Sequence, residues 1–146
     1  MADGTSDDAE VDEDGATLIS VDKAVEMALE LLRKRELKAA SGLLRSVLEV
    51  EPEHATALNA LGVVTFHLEG PAASAAFLRE AIERRPGDAS LRNNLGNACI
   101  ELGDIDAAVD AYDKAIELDP LLADPYCNLA SIVKHAGNLE FAERLL

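Results

Sequence analysis

The sequence is poor in aromatic residues and in cysteine, and it has no long apolar run. Aromatic residues make up 3% of its 146 residues and tryptophan is absent, so the core must be built from aliphatic and small side chains. Two cysteines, Cys99 and Cys127, are too few for a disulfide framework and suit a reducing compartment. The lack of any run of about 18 apolar residues excludes a membrane-spanning helix. We therefore expect a soluble, cytoplasmic protein.

Positive charge is also scarce. The chain has 13 Lys and Arg against 28 Asp and Glu, which gives a formal net charge of −15. Binding to nucleic acid depends on Lys and Arg that displace counterions from the phosphates, and anionic lipid headgroups likewise attract basic segments. We therefore expect no nucleic-acid or membrane partner. A protein or peptide with basic character is the expected partner.

Residues 1–20 differ in composition from the rest of the chain. They contain seven acidic residues and no basic residue, and their apolar residues show no helical period. The segment also lacks the basic start and apolar stretch of a secretory signal. Because it has too little apolar surface to offset the entropy of ordering, we expect a disordered acidic tail.

From residue 21 onward the sequence repeats every 34 residues. The clearest markers are three equally spaced prolines, Pro52, Pro86 and Pro120. Proline cannot continue a helix, so each marks an equivalent helix end. Small residues recur with the same period in two columns: Ala28, Gly62, Gly96 and Ala130, and Ala40, Ser74, Ala108 and Ala142. A fixed period of this length predicts a solenoid.

The fold class that we predict is all-α, a solenoid of antiparallel helix pairs. Repeats 1 to 3 are expected at 21–54, 55–88 and 89–122, followed by a truncated repeat 4 at 123–146. Turns within the repeats are predicted at Lys34-Arg35-Glu36, Gly70-Pro71, Gly103-Asp104 and Gly137-Asn138. Helices are predicted at about 21–34, 37–50, 55–68, 71–84, 89–102, 105–118, 123–136 and 139–146.

The third repeat, ASLRNNLGNACIELGDIDAAVDAYDKAIELDPLL, resembles the tetratricopeptide repeat family. The matching positions are Leu95-Gly96, Ala108, Tyr112, Ala115 and Pro120. The resemblance covers residues 21–146. It implies a right-handed superhelix in which the first helix of each pair lines a concave face, and it implies a scaffold that binds an extended peptide or a partner protein on that face.

The concave face implied by the resemblance is rich in asparagine. The candidate peptide-binding residues are Asn59, Asn93, Asn94, Asn97 and Asn128, together with His67, Glu101 and Ser131. Asparagine disfavours helix, and its amide both donates and accepts hydrogen bonds, as an extended peptide backbone requires. The arrangement resembles the asparagine ladder of O-linked N-acetylglucosamine transferases. Alternatively, the asparagines form structural hydrogen bonds between repeats. In repeat 1, the residues expected on the same face are Asp22, Val25, Glu26, Leu29 and Arg33.

Residues with the spacing of a catalytic or metal site are not found. The three histidines, His54, His67 and His135, are far apart in sequence, and we predict no catalytic residue, no metal site and no cofactor. The Lys and Arg that would clamp a peptide carboxylate on the concave face are missing, so we do not expect capture of a chaperone tail. Two further roles stay open. One is a substrate-docking domain of a larger modifying enzyme, such as a glycosyltransferase, with its catalytic part beyond residue 146. The other is self-association through the open end at Phe141–Leu146.

Overall fold

The computed structural model of the chain describes residues 10–11 and 17–145, with side-chain surroundings for residues 18–139. Seven helices follow one another in antiparallel order within this part, which confirms the all-α helical repeat fold. They are α1 (Val21–Arg33), α2 (Leu37–Val50), α3 (Ala55–Glu69), α4 (Pro71–Arg84), α5 (Ala89–Glu101), α6 (Ile105–Leu118) and α7 (Ala123–Leu145). For α1 to α6, both ends agree with the prediction to within one residue.

Two short strands precede the helices, in the segment expected to be a disordered tail. Strand β1 (Glu10–Val11) pairs antiparallel with β2 (Thr17–Leu18), so that Glu10 faces Leu18 and Val11 faces Thr17. The expectation is therefore wrong for these four residues, which include the β-branched side chains that favour strands. Residues 1–9 and 12–16 of the predicted tail lie outside the described residues.

The first helix of each of the first three repeats begins at a polar side chain that accepts a backbone hydrogen bond. Ser20 accepts from the amide of Lys23 at the start of α1, and His54 Nδ1 accepts from the amide of Ala57 at the start of α3. Asp88 has the same role at α5, where it accepts from the amide of Leu91. Such caps satisfy amides that have no partner inside the helix. They explain why the helices begin where the sequence predicts.

The turns inside repeats 1 and 3 have the same geometry although their residues differ. Gly103 has φ +78° and Arg35 has φ +63°, both in the left-handed region. In each case the next amide bonds back over five residues, Asp104 to the Cys99 carbonyl and Glu36 to the Leu31 carbonyl. This is the Schellman arrangement, which favours glycine. Repeat 1 therefore turns as predicted, with an arginine in a position that suits glycine.

The predicted break at Gly137-Asn138 is wrong, because α7 continues without interruption from Ala123 to Leu145. Each earlier second helix packs on two neighbours: α2 on α1 and α3, α4 on α3 and α5, and α6 on α5 and α7. Among the described residues, a helix folded back after Gly137 would have one neighbour instead of two, the first half of α7. The straight helix instead retains the backbone hydrogen bonds that a turn at Gly137 would break.

Glycine sets how closely the two helices of a repeat approach. A methyl group built on Gly62 would stand 2.5 Å from Leu78 Cδ2, and one built on Gly96 would stand 2.7 Å from Cδ1 of the Tyr112 ring. Leu78 and Tyr112 are themselves almost fully buried. The small residues predicted in two columns therefore allow the helices to pack closely. Because the helices are close, a small number of large side chains is enough to fill the core.

First helices also contact one another across repeats. Helix α1 contacts α3, α3 contacts α5, and α5 contacts α7, whereas α2, α4 and α6 make no contacts with one another in the described part of the chain. The array is therefore tighter on the side of the first helices, and its curvature makes that side concave.

Candidate functional site

Three adjoining depressions line the side of the array formed by the first helices. The first, of about 570 Å³, is bordered by Asn59 and Asn93. The second, of about 180 Å³, shares Asn94 with the first and includes His67. The third, of about 690 Å³, shares Asn97 with the second and includes three further predicted residues, Glu101, Asn128 and Ser131. The structure thus brings all eight predicted site residues together along one surface, which we call the groove.

The asparagines of the groove bond to one another between successive repeats. Asn94 Nδ2 donates to Asn59 Oδ1 over 3.1 Å, and Asn128 Nδ2 donates to Asn93 Oδ1 over 3.0 Å. Asn128 Nδ2 also donates to Asn97 Oδ1 over 3.1 Å. Each of the first two bonds joins residues that are 35 apart, one repeat plus one position. The alternative interpretation of the sequence, structural hydrogen bonds between repeats, therefore describes part of what these side chains do.

Asn59 is held in place on its other side by Asp88. Its Nδ2 donates to Asp88 Oδ2 over 3.2 Å and to the Ala55 carbonyl over 3.1 Å. Asp88 also receives the Arg85 guanidinium at 3.4 Å, and its side chain is only 11% exposed. Both N–H groups of Asn59 are therefore used inside the protein, so this amide serves as support for Asn94.

The remaining groove asparagines that are more exposed than the buried Asn93 retain hydrogen-bonding capacity toward the groove. Within the described part of the chain, Asn94 uses one N–H, whereas its other N–H and its Oδ1 have no protein partner. Asn97 accepts twice through Oδ1, from Tyr112 and Asn128, and its Nδ2 donates to no described residue. Asn128 donates through Nδ2 and its Oδ1 accepts from no described group. The groove therefore offers donors and acceptors along a line of fixed, oriented amides.

Tyr112 fixes the orientation of the Asn97 side chain from the core side of the groove. Its hydroxyl donates to Asn97 Oδ1 over 2.7 Å while its ring is 1% exposed. Burial raises the pKa of Tyr112 to about 12, with a smaller contribution from Cys99, so the phenol keeps its proton and remains a donor. Burial also raises the pKa of the Cys99 thiol, which the positive charge of Arg79 partly offsets. This places Cys99 in the core as an unreactive thiol.

Sequence reasoning missed two supporting residues and misplaced some residues of repeat 1. Tyr112 and Asp88 hold groove asparagines, but the sequence analysis named Tyr112 only as a position of the repeat pattern and gave Asp88 no role. The signal in the sequence for Tyr112 was that it carries a hydroxyl where the repeat otherwise places Leu44 and Leu78. Val25, expected in the groove, is 7% exposed and packs in the core of α1 to α3. Of the five residues expected from repeat 1, Leu29 borders the groove, whereas Asp22, Val25, Glu26 and Arg33 are not among the residues that line it.

The charged groups that border the groove are acidic. Asp88 and Asp124 border the first depression and Glu101 borders the third, and no Lys or Arg is among the described residues that line the three depressions. The Arg85 guanidinium neutralises the charge of Asp88 through an ion pair, but Arg85 does not itself line the three depressions. The net charge that faces a ligand is therefore negative.

Two other kinds of site were sought in the described residues. No group of three or more His, Cys, Asp or Glu side chains lies close enough there to hold a metal ion. None of the described helices is both long enough and apolar enough to cross a membrane.

Comparison with known proteins agrees with this geometry. Residues 25–89 match the tetratricopeptide repeat profile and residues 96–137 match a second profile described as TPR repeat. No curated protein sequence matches the chain. A mutant of the O-GlcNAc transferase of Thermobaculum terrenum is similar in structure, with a TM-score of 0.68 and 27% identity over 75% of this chain. The present chain spans 21% of that protein.

Two solved structures of the first TPR domain of RPAP3 have a similar fold at lower identity. The Spaghetti (RPAP3) domain bound to the HSP90 peptide SRMEEVD has a TM-score of 0.71 with 15% identity, and the match covers 87% of this chain and 97% of that one. The human domain, solved by NMR, has a TM-score of 0.73 with 15% identity and coverage of 82% and 94%. Its repeat period, its helix pairs and both profile matches place this chain in the tetratricopeptide repeat family.

Proposed function

We propose that this chain is a protein-interaction scaffold that binds an extended peptide along its groove. The observation that supports this most directly is the unused hydrogen-bonding capacity of Asn94, Asn97 and Asn128. An extended backbone presents amide donors and carbonyl acceptors in alternation, and a line of amides can meet both. Because the inter-repeat bonds hold these side chains in place, little entropy is lost on binding.

The charge of the groove supports a partner with basic character. Glu101 and Asp124 border it without any lining Lys or Arg, so a cationic peptide gains from electrostatic attraction. An acidic peptide is disfavoured for the same reason. The HSP90 peptide in the Spaghetti (RPAP3) complex, with two glutamates and a terminal aspartate, therefore serves as a negative control here.

The experiment is a selection of binders from a phage-displayed library of random dodecapeptides on the full chain. Selected sequences are synthesised and their affinity is measured by fluorescence anisotropy. We expect enrichment of Lys and Arg, and a loss of affinity of about 30-fold in the double variant Asn94→Ala/Asn128→Ala, because each amide bond contributes about 1 kcal/mol. Raising the salt concentration is expected to weaken binding.

Asn138→Ala is the matched control, since Asn138 is an exposed asparagine on α7 outside the groove. Circular dichroism checks that both variants remain folded. Selected peptides that bind the double variant and the control equally well would overturn the proposal, as would selection of acidic sequences.

A second role is that of a substrate-docking region of a larger modifying enzyme. The similarity to an O-GlcNAc transferase, of which the chain spans about a fifth, favours this role. It requires a catalytic part outside these 146 residues. Intact-mass measurement of the protein from its native cell tests it, because a mass near 15.5 kDa would contradict a larger enzyme.

Self-association is a third role. The end expected for it, Phe141–Leu146, lies outside the residues whose side chains the structure describes, and the role rests here on an uncovered face of α7. Tyr126 and Val133 are 46% and 70% exposed, with the exposed Ala130 between them. Two repeats earlier, the position of Tyr126 is taken by Leu58, which is buried in a cluster with α4 residues. A second copy's α7, packed antiparallel across a twofold axis, supplies the missing helix, and the small Ala130 permits close approach.

Light scattering over a concentration series tests the association. We expect a dimer that Val133→Lys dissociates. Leu121→Lys is the control, because Leu121 is a 93% exposed leucine outside α7. A wild-type chain that stays monomeric at the highest concentration would refute this role.

A further inference from the structure

The third depression differs from the rest of the groove in its size and in its apolar walls. We infer that it is a socket for one large apolar side chain of the bound peptide, and that a basic residue follows next to that side chain. The inference rests on the proposed function, because the amides at its edge are those that hold the peptide backbone. It goes further by specifying which residues in the peptide the groove prefers.

The second and third depressions are the same site in successive repeats. Shifting the lining of the second depression by 34 residues turns Phe66 into Ile100, His67 into Glu101 and Asn94 into Asn128. Both sites therefore have an asparagine amide and a large apolar side chain at equivalent positions of the lining. Their volumes differ nonetheless, at about 180 Å³ and about 690 Å³.

Two features of the structure account for the larger volume. Ile100 stands where the second depression has the bulkier ring of Phe66, so less of the base is filled. The uninterrupted α7 adds Leu139 to the wall. Ile105, one repeat before Leu139, belongs instead to α6, because the chain turns at Gly103, and it does not line the second depression.

The chemistry of the walls selects an apolar side chain. The wall is formed by Phe66, Ile100, Ile105, Ile132 and Leu139, with the Tyr112 ring at the base. Ile105 and Leu139 are substantially exposed, so a side chain that covers them removes apolar surface from water. The Asn97 Nδ2 and the Asn128 Oδ1, unpaired among the described residues, lie at the edge of the depression. The peptide backbone must pass there if its side chain is to enter.

The charge at the edge selects what lies beside the apolar residue. Glu101 is exposed and is the one carboxylate in this lining, which among the described residues has no Lys or Arg. A Lys or Arg next to the apolar residue meets this carboxylate, whereas an acidic neighbour is repelled. The preferred ligand is thus an extended peptide with a Leu, Ile, Met or Phe adjacent to a basic residue.

The peptides selected from the random dodecapeptide library test this directly. We expect them to share one large apolar residue beside Lys or Arg, and replacement of that residue by Ala is expected to weaken binding about tenfold or more. In the protein, Ile100→Phe restores the bulk that the second depression has. It is expected to reduce affinity for the apolar peptide about tenfold and to leave the Ala-substituted peptide unaffected.

Leu102→Phe is the matched control, since it is the same kind of enlargement two residues further on, outside the linings of the groove. If Ile100→Phe fails to fold, Ile105→Gln replaces it, because it puts a polar side chain at the exposed edge of the socket without adding a charge that would attract the basic residue of the peptide. Both variants are expected to act alike on the apolar peptide.

The outcomes separate the socket from the groove. The socket is overturned, and the proposed function stands, if binding depends on Asn94 and Asn128 but no Ala substitution in the peptide weakens it. The same holds if Ile100→Phe in the protein causes no loss of affinity. Peptides that require the apolar residue but ignore the two asparagines overturn the amide-ladder function and support the socket. A selection that yields no binder overturns both.

Discussion

Among the described glycines, Gly96 in α5 leaves the least room for a methyl group, which would meet the Tyr112 ring of α6, and Gly96→Ala tests this packing. Alanine in an exposed helix interior is about 1 kcal/mol more favourable than glycine. At Gly42 in α2 a methyl group meets nothing within 4 Å, so Gly42→Ala is expected to stabilise the protein by roughly that amount. At Gly96 the same gain is opposed by overlap with the Tyr112 ring.

The size of that opposition follows from what the methyl group meets. Three ring atoms of Tyr112 lie within 2.8 Å of it, and the ring cannot swing aside without losing the hydroxyl bond to Asn97. Overpacking of this kind costs about 1–3 kcal/mol, and the lost hydrogen bond about 1 kcal/mol more. We expect Gly96→Ala to be destabilising by about 2 kcal/mol net. Gly62→Ala, which meets the flexible end of Leu78, is expected to lie near zero.

The assay is urea unfolding followed by far-UV circular dichroism, with all three variants measured beside the wild type. The expected order of stability is Gly42→Ala above wild type, Gly62→Ala close to it and Gly96→Ala lowest, with a span of about 3 kcal/mol. An equal m-value shows that the same surface unfolds in each. Gly96→Ala as stable as Gly42→Ala would refute the close packing of α5 on α6.

Three further perturbations have defined outcomes. Arg35→Gly is expected to add about 0.5–1 kcal/mol in the same urea assay, because φ at this position is +63°. Asp88→Ala is expected to cost about 1–2 kcal/mol through loss of the α5 cap, and Asp88→Asn to restore most of it. The pKa of Tyr112 is raised to about 12 from near 10 when unfolded, so its contribution to stability is intact below about pH 10 and falls by roughly 2–3 kcal/mol as the pH rises to 12. Tyr112→Phe is expected to remove that loss of stability. The ionisation of the Tyr112 phenol is followed by its absorbance at alkaline pH in a Tyr126→Phe background. Ionisation of Tyr112 near pH 10 would contradict its burial.

Repetition makes most of the fold predictable from the sequence. The 34-residue spacing of Pro52, Pro86 and Pro120 predicted six helices to within one residue at each end. The recurring small residues predicted where helices meet, because only Gly62 and Gly96 leave room for Leu78 and Tyr112. These are local rules of chain geometry and side-chain volume, and they recur unchanged in each repeat.

The same local rules gave wrong predictions where packing against neighbouring helices determines the structure. Gly137-Asn138 carries the same turn signal as Gly103-Asp104, yet α7 runs straight, because a turn is stable only if the folded-back helix finds packing. Arg35 turns without a glycine, because the packing of α1 on α2 holds it there. Val25 is buried although its register predicted the groove.

For the groove, helix register alone predicts that five asparagines lie on the face of the first helices, since register fixes which side chains share a face. How their amides are divided between roles depends on contacts between helices, which the register does not give. Bonds to Asp88, Ala55 and Asn94 engage both N–H groups and the Oδ1 of Asn59, whereas Asn94, Asn97 and Asn128 stay partly free. That division depends on distances between helices of different repeats, and the large third depression depends on the course of α7. Neither is encoded in a single helix, because both arise where separate helices meet.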